Sequence, residues 1–331
     1  MTTNRFFSIK LMASILLLLF ASLLAMRFGA ADTSIKDVWF AMTGSQESDT
    51  IIILQEIRFP RVVATIFVGA ALAVAGAIMQ GVTRNPLADP GILGVSAGAN
   101  VALAFTIALF PSANYFMVMI ACFIGASIGT LLVIGISSIS ETGFSALRIV
   151  LAGSAVSAFL YAVADGIGIY FKISKDVSMW TAGGFIGANW NQLQVILPFI
   201  VISLVVALLL TRQLSILSLD EDVAVGLGQS IILIKTVFFL LISILAGAAV
   251  ALVGNLAFIG LMIPHIVRAV VGSNYQRIIP LSITIGATFM VLAETVGRTI
   301  NAPYETSVAA IVSIVGLPFF LIIVRKGAKA V

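Results

Sequence analysis

Residues able to do chemistry are sparse in this sequence and fall in a few places. Arg58-Phe59-Pro60-Arg61 sets two arginines three apart, and Arg298 closes the stretch Ala293-Glu294-Thr295-Val296-Gly297-Arg298. A guanidinium's planar fork holds a carboxylate through two hydrogen bonds, so fixed arginines suit a partner that presents acids. Read more plainly, they are cations snorkelling to headgroups. Asp220, Glu221 and Asp222 precede Ala224, Gly226, Leu227 and Gly228. That order suits either a solvated loop or a short helix, with acids at its positive end and glycine at its close, offered to a soluble partner. Gln80 leads into Arg84-Asn85-Pro86-Leu87-Ala88-Asp89-Pro90-Gly91-Ile92-Leu93-Gly94, where the two prolines push Asn85 and Asp89 into extended backbone. Acid–base, metal or nucleotide chemistry finds little support. There is one histidine, His265, one cysteine, Cys122, and no Gly-x-x-x-x-Gly-Lys-Ser/Thr loop.

The elements that must position these residues are membrane helices. Of 331 residues, 60% are hydrophobic and only 10% charged, and the mean hydropathy is +1.17. So few charges cannot coat a soluble body. Apolar runs near the length that crosses hydrocarbon as a helix begin at about 11, 62, 91, 115, 147, 192, 231, 254, 278 and 306. They lack the alternation of an outer-membrane barrel. The expected fold is therefore an all-α bundle of about ten crossings forming a single domain over 1–331. Met179–Ala188 reads as a half-buried excursion, and the run from Leu11 to Ala25 as a first crossing rather than a cleaved signal. The stretch from Arg27 to Glu56 is the longest polar one. Lysine and arginine placement favours both termini inside, with 214–229 a cytoplasmic loop and Arg58, Arg61 and Arg298 left outside. Glycines four apart, Gly125/Gly129 and Gly183/Gly187, fit close helix packing. The net charge of +4 needs no nucleic acid to explain it.

The proline-interrupted run after Gln80 describes a broken, re-entrant turn, which survives at membrane depth only where protein or a water-filled cavity covers it. Gln80, Asn85, Pro86, Asp89 and Pro90 are its candidate pathway residues. A second marked run is Gly260-Leu261-Met262-Ile263-Pro264-His265-Ile266-Val267-Arg268, and a third is Gly316-Leu317-Pro318-Phe319-Phe320. Taken in order, these segments resemble the FecCD-like permeases, the membrane subunits of type II ABC importers for iron–siderophores, haem and vitamin B12. The resemblance spans about residues 50 to 325.

What the resemblance implies is specific. The fold would be the type II importer permease fold, with this chain supplying half of the translocation path and a second permease, identical or homologous, the other half. Separate ABC ATPase subunits would use the ATP, so the chain itself would be no enzyme and hold no cofactor. An extracytoplasmic substrate-binding protein or lipoprotein would dock on Arg58, Arg61 and Arg298, and the Asp220–Gly228 run would seat in the ATPase. The expected cargo is a ferric siderophore, with haem or cobalamin as the alternative, imported across a bacterial cell membrane. Glu294 stands where the family usually has aspartate, and its spacing of four lets it pair with Arg298. The rival class, an ion-coupled secondary transporter, calls for intramembrane carboxylates or histidines, and helix centres here hold almost none.

Overall fold

The computed structural model describes residues 2–29, 33–44, 48–138, 146–219 and 221–327. In chain order the helices are α1 (Thr2–Arg27), α2 (Ile35–Thr43), α3 (Asp49–Ile53), α4 (Phe59–Thr83), α5 (Val95–Leu109), α6 (Tyr115–Ser138), α7 (Ala146–Tyr170) and α8 (Ser174–Thr181). There follow α9 (Trp190–Leu209), α10 (Thr211–Leu217), α11 (Glu221–Gly226), α12 (Ile231–Val253), α13 (Ile259–Val271), α14 (Tyr275–Thr299) and α15 (Val308–Gly327). Among the described residues seven helical stretches are long and apolar enough to cross a membrane, and α5, α13 and the Val308–Ile323 part of α15 are shorter apolar stretches. Without water to satisfy backbone N–H and C=O groups, helices of this kind are the structure lipid permits.

Two of the short helices are short because the chain breaks beside them. α4 ends at Arg84 in a left-handed conformation, and Asp89 is extended as its following proline requires. A 3-10 turn, Pro90–Leu93, then precedes α5. The second break follows α12. Gly254 and Phe258 both have positive φ, and α13 starts only at Ile259. The two breaks pack together: Ser96 Oγ donates to Asn255 Oδ1 at 2.9 Å, and Pro90 abuts Gly260. Gly260 also faces Gly76 of α4 so closely that a methyl on Gly76 would collide with the Gly260 carbonyl. Pro90 therefore lies at the depth of Gly76, well above the end of α4, as a re-entrant turn should.

α4 and α12 sit at the centre, mostly buried, whereas α1 and α7 show most of their surface to the outside. Gly125 and Gly129 of α6 meet Gly98 and Gly94 of α5, as their spacing predicts. Gly183 and Gly187 do not form a helical pair; they lie in the loop after α8, where Gly183 takes a positive φ.

The described parts of the polar stretch before α4 are largely helical. Ser34 and Asp37 form a capping box that starts α2. Val38, Ala41, Ile51 and Leu54 then bury against Ala21, Ala25 and Met26 of α1. Nor does α4 begin afresh at Arg58. Helix runs on from α3 through a π turn at Leu54–Arg58, where Phe59 N–H reaches Leu54 C=O. Pro60 lacks an N–H and would crowd the preceding turn of a regular α-helix; the wider turn makes room for it.

The Gly76–Gly260 contact carries a direct expectation. Gly76→Leu drives a side chain into backbone, a substitution of the kind that costs about 1–3 kcal/mol or more. It should lower the thermal unfolding midpoint in detergent. A Cβ added at Gly166 meets no atom within 4 Å, so Gly166→Ala should leave the midpoint unchanged or raise it.

Candidate functional site

Two clusters stand at opposite ends of the bundle. One gathers all three arginines singled out by the sequence. Arg58 and Arg61 come from the π turn and first turn of α4, and Arg298 from the last turn of α14. The side chains are brought together but are not displayed: the three residues are 4%, 5% and 5% exposed. Arg58 Nη1 donates to the Met26 carbonyl at 2.8 Å and to Thr33 Oγ1 at 2.7 Å. Arg298 Nη2 donates to the Ala25 carbonyl at 2.6 Å, which ties α14 to the end of α1. Arg61 grips Glu305 with a two-pronged bond, Nη1 and Nη2 each 2.7 Å from a carboxylate oxygen. Its Nε pairs with Glu294, and Glu294 in turn lies 3.5 Å from Arg298.

A fully buried carboxylate such as Glu294 is tolerable only if paired, and here two guanidiniums flank it. The pairing of Glu294 with Arg298 follows their spacing of four. Arg61 comes from far along the chain and Glu305 from the segment just after α14, and only the fold reveals them as members. Nε and Nη1 of Arg298 make no hydrogen bond among the described residues. Glu305 is the accessible member, its side chain 29% exposed. Arg61's hydrogen bonds hold the Glu305 carboxyl below its ordinary range against the opposing effect of burial. Its signal in the sequence was an acid at the start of the last helix, on the side where three cations lacked partners.

The other cluster is built on α10 and α11. Glu221 opens α11, as the sequence placed it; Asp220 lies outside the described residues. The helix ends in a Schellman motif. Gln229 N–H reaches Ala224 C=O, Gly228 N–H reaches Val225 C=O, and Gly228 supplies the positive φ. Ala224 is fully buried and fastens the helix down, while Val223, Val225 and Leu227 are 48%, 59% and 61% exposed. Asp222 is exposed as well. Arg84, the left-handed residue closing α4, donates to the Leu219 carbonyl at 3.3 Å. The segment before α11 is thus tied to the re-entrant turn.

The pathway candidates divide. Asp89 and Pro90 line a cavity of about 190 Å³, with Ser96, Tyr161 and Asn255 among its other walls. One Asp89 oxygen accepts the Gly91 N–H at 2.7 Å. Asn85 and Pro86 are exposed at the turn, where Asn85 Oδ1 accepts the Leu87 N–H. Gln80 is 2% exposed and lines no open surface. Its amide donates to the Leu261 carbonyl at 3.2 Å and accepts from Arg268 at 3.1 Å, so it fastens α4 to α13. His265, in α13, packs edge-on against Phe319.

With this geometry in hand, comparison with known proteins is direct. The sequence profile of the FecCD transport family matches residues 17–326. The chain is 41% identical over 319 residues to the iron(3+)-hydroxamate import system permease protein FhuB of Bacillus subtilis (strain 168), spanning 96% of this chain and 83% of that one. It is 35% identical over 316 residues to the ferric enterobactin transport system permease protein FepD of Escherichia coli (strain K12), spanning 95% and 94%. A solved structure described as an inward-facing conformation of a metal-chelate type ABC transporter superposes with a TM-score of 0.84. It shares 26% identity and is covered over 98% of its length by 96% of this chain.

Removing one partner from a buried ion cluster strands the others, so Glu294→Gln should destabilise the chain by about 3–5 kcal/mol, read as a lowered thermal midpoint. Glu305→Gln should cost less, and its cost should depend on pH. A carboxyl whose value falls on folding contributes stability above the unfolded value, about 4.3, and loses it as pH drops through the lowered folded value. The gap in midpoint between wild type and Glu305→Gln should therefore be full near neutrality and close as the buffer is taken to acid.

Proposed function

The chain belongs to the FecCD transport family, and from that premise we propose that it is the permease subunit of an ATP-binding-cassette importer for a ferric siderophore. The observation that carries the reading is α11. A short helix outside the apolar crossings turns Val223, Val225 and Leu227 outward, although solvent offers them nothing. Such an exposed apolar helix is suited to a groove in a soluble ATPase chain. Arg84 links the segment before it to the re-entrant turn, and Ser96 and Asn255 link that turn to the second break. A push on α11 when the ATPases close on ATP would reach both breaks without unpacking α4. The second half of the path comes from another permease, a copy of this chain or a relative.

Relatives named for hydroxamate, citrate and enterobactin iron support a ferric siderophore over haem or cobalamin. Their variety on one type of subunit fits a permease whose chelate is chosen by a separate binding protein outside the membrane. An ion-coupled transporter fits worse, because the buried carboxylate Glu294 is already neutralised by arginines. The docking role of Arg58, Arg61 and Arg298 takes a changed form. Held inside, they steer a partner by field and position, and an acid from the binding protein competes with Glu305 for the fork of Arg61.

A Cβ at Gly226 meets no atom within 4 Å, so Gly226→Trp should leave the chain folded while abolishing copurification of the ATPase and uptake of ferric hydroxamate. A folded variant that keeps both would remove α11 from the coupling site. For the outer face, Glu305→Gln should tighten association with the binding protein several-fold in a titration on nanodiscs. Unchanged affinity would place docking elsewhere.

A further inference from the structure

The inner ends of α1, α13 and α14 enclose a second cavity of about 190 Å³, lined by Phe6, Phe7, Lys10, Val270, Val271 and Arg277. We propose that it binds the phosphate-bearing headgroup of an anionic phospholipid from the inner leaflet.

Depth is the first argument. Lys10 and Arg27 bracket the apolar stretch of α1, and at 1.5 Å per residue they stand about 26 Å apart, close to the thickness of a hydrocarbon core. Lys10 is therefore level with the headgroups on the side that the positive-inside rule makes cytoplasmic.

Charge is the second. Lys10 Nζ donates to the Val270 carbonyl at 2.7 Å, capping the end of α13. An ammonium has three N–H groups, so two remain for an incoming anion. Arg277 lies in the first turn of α14 and lines the same space, and among the described residues no hydrogen bond or ion pair occupies its guanidinium. The positive end of the α14 dipole adds to both. No acid lines the cavity.

Shape is the third. Phe6 is 65% exposed and Val270 43%, so the cations are flanked by outward apolar surface along which acyl chains can lie. A soluble anion would have no use for that flank, whereas a phospholipid satisfies both parts. Bound there, it would staple α1 to the α13–α14 corner, beside the Arg268–Gln80 contact that holds α13 on α4.

The test compares the intact chain in phosphatidylcholine micelles with and without added phosphatidylglycerol, reading the thermal midpoint and the lipid retained in native mass spectra. Phosphatidylglycerol should raise the wild-type midpoint and be retained preferentially. Near a membrane surface each basic residue contributes enough that Lys10→Gln and Arg277→Gln should each cut retention about fivefold. Among the described residues the Arg277 guanidinium has no hydrogen bond or ion pair to lose, so Arg277→Gln should match wild type in phosphatidylcholine alone, and Arg277→Lys should keep most of the rise. Inorganic phosphate at millimolar concentration should give no rise. Equal retention by the double variant, an equal response to both lipids, or a phosphate response matching that of the lipid would each overturn the proposal.

Discussion

A carboxylate taken wholly out of water must be held by opposite charge, and Glu294 is that carboxylate here. The outer half of the bundle is organised around meeting its demand. Arg61 and Arg298 bring α4 and α14 to it, Arg298 reaches on to the end of α1, and Arg61 reaches on to Glu305 between α14 and α15. Two distant stretches, α1 to α4 and α14 with the segment after it, are thereby fixed to one point. The cost of leaving any of these groups unpaired in a low-dielectric interior makes the arrangement close to all-or-none.

The opposite constraint governs the places where the helices are interrupted. Backbone freed at 84–94 and 254–258 has to find partners inside protein. The first break closes its own turns, with Ala88 N–H to Asn85 C=O, Ile92 N–H to Asp89 C=O and Gly94 N–H to Gly91 C=O. Asn255 N–H of the second reaches Thr181 C=O, and side chains hold the two breaks together. Gly76 and Gly260 let α4 and α13 approach until backbone meets backbone, so the breaks rest on a rigid seat. In the coupling we propose, rigidity at that seat and the tie from Arg84 to the segment before α11 would let a movement at one face be felt in the core.

Much of this was legible in the residues. The crossings followed from apolar length, and the re-entrant turn followed from Asn85-Pro86 and Asp89-Pro90, because proline restricts the residue before it whatever surrounds it. The acid-led, glycine-closed α11 was legible for the same local reason. The short helices α2 and α3 were hidden by polar composition, although the Ser34–Asp37 capping box and the apolar Val38 and Ala41 marked α2. Gln80 is held against α13, and an amide beside a broken helix reads the same whether it faces a path or a neighbouring backbone.

The sequence alone thus determined the class of protein, its apolar helices and the places where helix fails, since hydrophobic length, proline stereochemistry and glycine act within a few residues. Tertiary structure decided what the charges do. Whether Arg61 faces solvent or Glu305 depends on two segments more than 240 residues apart, and no local rule carries that information. Three arginines that look like a surface patch in one dimension are buried in three, Arg61 and Arg298 as the clamp on Glu294 and Arg58 on the end of α1, because the free energy of pairing a desolvated charge exceeds what exposure would give.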